Sequence, residues 1–100
     1  MSNVETYLAA IKQFGPHNQV TCCIEELAEL QVELAKILNG KRDVKNPEHI
    51  KLLVDELADV SIMIDQMILL FNCDFDVVER KDFKIGLLKQ KIHNKKDEII

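Results

Sequence analysis

One acidic pattern occurs twice in this chain. Residues 25–30 read EELAEL and residues 55–60 read DELADV. Each copy runs acid, Glu, Leu, Ala, acid, apolar. At ~100° per residue on an α-helix, the second and fifth positions of a copy share one face. Glu26 pairs with Glu29 in this way, and Glu56 with Asp59. Glu26 borders an apolar stripe of Leu27, Leu30 and Leu34, and Glu56 stands in an apolar sector with Met63 and Met67. Carboxylates in such places can ligate a hard cation or move a proton.

The two copies are related through the loop between them. Glu26 and Asp59 are equidistant from the point between Arg42 and Asp43, and so are Glu29 and Glu56. Helices joined by a short loop lie antiparallel. The expected hairpin therefore sets both pairs level, with four carboxylates converging between the helices. Four such charges repel, and burying them unpaired is costly. A divalent cation removes that cost, and an all-oxygen donor set suits Mg²⁺, with Mn²⁺ as a substitute. The Glu-x-x-His repeats of di-iron bundles are absent, because Phe14, Asn46 and Gln90 stand three residues before His17, His49 and His93. Either cassette alone reads as an ordinary solvated helix face; two that fall level favour a cluster. Glu33 and Glu48 are read as surface acids, and Asp65 as either a surface acid or an inter-subunit contact.

Four helices must position these residues. The first is expected from about Asn3 to Phe14, where Gly15 and Pro16 stop it. The second runs from about Asn18 to Leu38, with Val20, Cys23, Leu27, Leu30, Leu34 and Ile37 at helical spacing. Asn39 and Gly40 end it. GKRDVKN forms the loop, and Asn46 with Pro47 makes a favourable cap and first position for the third helix, which continues to about Phe71. Asp74 or Asp76 caps a fourth helix reaching about His93, and the tail from about residue 94, NKKDEII, is expected to fray.

Composition agrees with a single small all-α domain over residues 1–100. Hydrophobic residues make up 47% of the chain and aromatics only 5%, with three Gly and two Pro, which is not the profile of a turn-rich β fold. The net charge of −4 gives no basic excess to draw the chain onto nucleic acid or anionic lipid. The longest apolar run, VSIMIDQMILLF, is broken by Asp65 and Gln66 and is too short to span a bilayer. Cys22, Cys23 and Cys73 form an odd, unpatterned set. They are read as reduced thiols of a cytoplasmic protein, with Cys23 filling core. The third helix has too few polar positions to be covered by its own chain, which predicts a homodimer or homotetramer with that helix near the interface.

The pair EELAE and ELAD, with the hairpin between, resembles the E-E-x-x-E … E-x-x-D pattern of MazG-like nucleoside triphosphate pyrophosphohydrolases. The likeness covers roughly residues 15–92. The lead-in FGPHNQ, with Gln19, and the loop LNGKRD resemble short phage or prophage-type members. The resemblance implies a MazG-like four-helix bundle that uses Mg²⁺ to cut a (d)NTP between its α and β phosphates, releasing (d)NMP and pyrophosphate. It assigns Glu26, Glu29, Glu56 and Asp59 as metal ligands, and Glu25 as the residue that orients a ligand or activates the attacking water. Phosphate oxygens want cationic partners, and Lys36, Lys84 and Lys91 are the candidates. Lys84 matches the first basic position of the family's fourth-helix segment, but the second is Leu87 here, which moves that contact to Lys91 or to another subunit. The competing reading is a non-catalytic helical interaction module, or a degenerate member that binds nucleotide or metal without turnover.

Overall fold

A computed structural model describes residues 1–99, with side chains described through Lys95. It is all-helical: α1 spans Asn3–Phe14, α2 Pro16–Leu38, α3 Pro47–Leu70 and α4 Asp74–Ile99. Local chemistry sets each boundary. Ser2 caps α1 through a reciprocal pair, its Oγ accepting from the Glu5 amide at 3.1 Å while Glu5 Oε2 accepts from the Ser2 amide at 3.1 Å. Gly15 alone separates α1 from α2. Its φ of 92° lies in the left-handed region open to glycine, and Pro16 then opens α2 without losing a hydrogen bond. Asn46 caps α3 by accepting from the Glu48 amide at 2.9 Å. Asn72, at φ 51°, closes α3 before α4 begins at Asp74.

Two differences from the sequence expectation stand out. The second helix starts at Pro16 rather than Asn18, because a proline that stops one helix is also well suited to begin the next. The fourth helix extends beyond the expected end near His93. α4 runs to Ile99, with no Gly or Pro after Gly86 to end the helix.

Helices α1, α2 and α3 pack against one another, while α4 touches α3 alone among the described residues. Gln19 Nε2 donates to Gln66 Oε1 at 2.8 Å, and both side chains are 5% exposed. These two glutamines share the midpoint that relates Glu26 to Asp59 and Glu29 to Glu56. The apolar core around them is thin: Cys23, Val60 and Met63. Cys23 fills core as its position on the α2 stripe implied, and all three cysteines are free thiols. Among the described residues no helix is long and apolar enough to cross a membrane.

The loop over residues 39–46 is held from both sides. Arg42 donates to Glu33 twice, Nε to Oε2 at 3.0 Å and a terminal guanidinium nitrogen to Oε1 at 3.2 Å. The Asp43 amide donates to His49 Nδ1 at 2.8 Å. Glu33, read from sequence as a surface acid, is instead 9% exposed and is the anchor of this loop. The guanidinium and carboxylate match in shape, which makes the fork directional as well as charged.

The buried amide pair makes a checkable prediction. Gln66→Leu leaves the Gln19 amide buried without its partner and should cost roughly 1–3 kcal/mol in urea unfolding, whereas the double change Gln19→Leu/Gln66→Leu should recover most of that loss. Equal losses in the single and double variants would mean the pair contributes nothing specific.

Candidate metal centre

Glu26 and Glu29 come from neighbouring turns of α2, and Glu56 from α3. Each offers one carboxylate oxygen to a group whose members all lie within 4.8 Å of one another. Glu26 and Glu56 are half-buried and Glu29 is exposed, so the cluster opens to solvent on one side. Glu26 Oε2 and Glu56 Oε2 are buried and have no hydrogen-bond partner. Buried acceptors normally find a donor, so two orphaned carboxylate oxygens in one cluster call for a cation or a proton.

Electrostatics points the same way. Burial pushes the Glu26 carboxyl above its ordinary value, and the charges of Glu29, Asp59 and Glu56 push it further. Glu56 is raised in the same manner, first by burial and then by Glu29, Asp59 and Glu33. Glu33 behaves oppositely: the hydrogen bonds from Arg42 hold it below its ordinary value, so it stays ionised.

The sequence candidates divide into three groups. Glu26, Glu29 and Glu56 are brought together. Asp59 lies outside the three-oxygen group but acts on Glu26 and Glu56 through its charge. Glu25 is exposed beside Glu26 and is also outside that group. Among the basic candidates, Lys36 reaches Glu33, with Nζ 3.7 Å from Oε1. Lys84 and Lys91 sit on α4, which does not touch α2. Lys84 lines a shallow cleft with Val77 and Arg80 on its own helix, and Arg80 lies 4.9 Å from the Phe83 ring centre. Lys91 lies farther out, beside Leu87 and Asn94.

Sequence reasoning missed the Glu33–Arg42 fork. The only signal available was that Glu33 lies two turns beyond Glu26, on the same edge of the apolar stripe. Three carboxylate oxygens at this spacing form a partial shell for a hard divalent cation, which fills its remaining positions with water or phosphate oxygen. No family model matches the chain, and neither a curated protein nor a solved structure does so.

The raised carboxyls fix the sign of a stability–pH relation. Folded Glu26 and Glu56 hold their protons to a higher pH than unfolded carboxyls, which titrate near 4.5. Their contribution to stability therefore falls as pH rises from 4.5 through the raised folded values. Glu33 contributes in the opposite sense: its stabilisation is present above 4.5 and is lost as pH falls through its lowered folded value. In metal-free buffer with chelator, Glu56→Gln should melt above the parent at neutral pH, and the gap should close as pH is lowered past 4.5. A variant that melts below the parent at neutral pH would refute the claim that charge repulsion is stored at this position.

Proposed function

We propose that this chain is a Mg²⁺-dependent nucleoside triphosphate pyrophosphohydrolase of the MazG-like type, built on an antiparallel α2–α3 hairpin and acting as a homodimer or homotetramer. The observation that supports the reading is the convergence of Glu26, Glu29 and Glu56 with two buried carboxylate oxygens left partnerless. A purely solubilising acidic face would leave those oxygens in water. In the proposed site Glu26, Glu29, Glu56 and Asp59 hold the cation. When bound, Mg²⁺ offsets phosphate charge and lowers the pKa of a coordinated water. Mn²⁺ satisfies the same donor set.

The residues of the chain then have distinct tasks. Glu25, exposed next to the ligand set, orients the attacking water or accepts its proton. Water adds at the α-phosphorus, the bond to the α–β bridging oxygen breaks, and pyrophosphate leaves from a (d)NMP. Lys36, which reaches Glu33 on the same helix, is the candidate cation for the triphosphate on the same protomer. Lys84 and Lys91 lie on α4, which touches α3 but not α2, and in this reading they serve the chemistry from another subunit.

The test is an endpoint assay of the purified protein against a panel of NTPs and dNTPs, with and without Mg²⁺, resolving pyrophosphate from orthophosphate. The expected result is Mg²⁺-dependent release of pyrophosphate and nucleoside monophosphate, reduced roughly 100-fold or more in Glu56→Gln. Orthophosphate with nucleoside diphosphate would move the cleavage to another bond. No product from any nucleotide, together with no effect of Mg²⁺ on the melting temperature, would favour the helical interaction module.

A further inference from the structure

The shape of the protomer is unusual for its size. A compact chain of 100 residues has a radius of gyration of about 13 Å; this one measures 17.6 Å, with extents of 56 × 36 × 23 Å. Its accessible surface is 8060 Å², where a monomer of this mass exposes about 5,800 Å². The excess of roughly 2,200 Å² per chain falls in the range that obligate homodimers bury per subunit.

α4 contributes to that excess along its length. It touches α3 alone, and its side chains from Asp74 through Lys95 are all exposed. They include an apolar stripe at seven-residue spacing, Val78, Ile85 and Ile92, with Leu88 between the last two; these are 53%, 41%, 61% and 54% exposed. A helix with this much open apolar surface has lost its packing face rather than lacking one.

Charge indicates what covers it. Residues 83–95 carry Lys84, Lys89, Lys91 and Lys95 and no acid. Residues 1–73 carry eleven Asp and Glu against six Lys and Arg. Two α4 helices laid together along their distal halves would oppose lysine to lysine, and a head-to-tail pair would meet Asp74, Asp76, Glu79 and Asp82 diluted by Arg80 and Lys81, a weaker acidic excess than that of residues 1–73. An α4 laid on the α1–α3 body of a second copy would oppose lysine to carboxylate.

We infer that α4 is an exchanged arm, whose Val78–Ile85–Leu88–Ile92 stripe docks on the acidic α1–α3 body of a second copy of this chain. The inference specifies the interface behind the homo-oligomer proposed above and is independent of the metal reading. Each copy gives its arm and receives one, so the contact is isologous and closes as a dimer.

Sedimentation equilibrium and light scattering on the full chain, in chelator so that metal plays no part, test the inference. The expected species is a dimer or a multiple of it, converted to monomer by Ile85→Asp/Leu88→Asp. Because α4 contributes almost nothing to the protomer's own core, circular dichroism should still show a helical α1–α3 body. A second variant, Lys84→Glu/Lys89→Glu/Lys91→Glu, should weaken dimerisation at least tenfold, with the deficit shrinking in high salt. A parent that stays monomeric at 11.5 kDa at every concentration overturns the inference. So does a dimer that survives Ile85→Asp/Leu88→Asp. Loss of dimer on the apolar change without any effect of charge reversal would replace body docking by α4–α4 pairing. Pyrophosphohydrolase activity is not read in this experiment, so failure of the arm and failure of the enzyme reading are separately visible.

Discussion

Gln19 ties α2 to Gln66 of α3, Arg42 ties the connecting loop to Glu33 of α2, and the carboxylates lie between these two contacts along α2. At one end Gln19 donates to Gln66 in a setting where neither amide reaches much water. At the other, Arg42 reaches back from the loop and grips Glu33 with two charge-assisted hydrogen bonds. A slip of either helix would break one of these contacts and leave a polar group buried without a partner, which costs more than the bond itself contributes. The register is therefore fixed where acidic residues would otherwise drive the helices apart.

That rigidity gives the acid cluster its chemistry. Mobile carboxylates relieve repulsion by spreading into solvent. Glu26 and Glu56 instead rise above the ordinary carboxyl value, because burial and the charges of Glu29 and Asp59 disfavour ionisation in place. Glu33 sits nearby but is neutralised by Arg42, so one acid becomes structural while its neighbours remain uncompensated. The same protein thus contains a satisfied carboxylate and two frustrated ones within a few turns of helix. The difference lies in which of them the loop can reach with a cation.

Much of this was legible in the sequence because it depends on local rules. Gly15–Pro16 and Asn46–Pro47 mark helix boundaries through backbone restrictions that hold in any context. The coincident midpoints of the two acidic pairs come from helix geometry alone, and the same arithmetic applied to glutamines would have found Gln19 and Gln66. Glu33 was not legible. Its burial depends on Arg42 folding back across the loop, and a loop arginine carries no periodicity that points to its partner. The extent of α4 was underestimated for a related reason: its lysine-rich end reads as a solvated tail, although nothing in it stops a helix.

The thin core and the long open helix belong together. Three buried apolar side chains among the described residues leave the single chain a narrow stability margin, as is general for small domains. The apolar residues that would have thickened the core are present, but they are spread over α4 and the outer faces of α2 and α3 rather than turned inward. Leu34, Leu57 and Ile64 are open on the body, just as Ile85 and Leu88 are open on the arm. A second copy covering this surface, as inferred above, would add stability to a body that folds by itself, and that added part would depend on protein concentration.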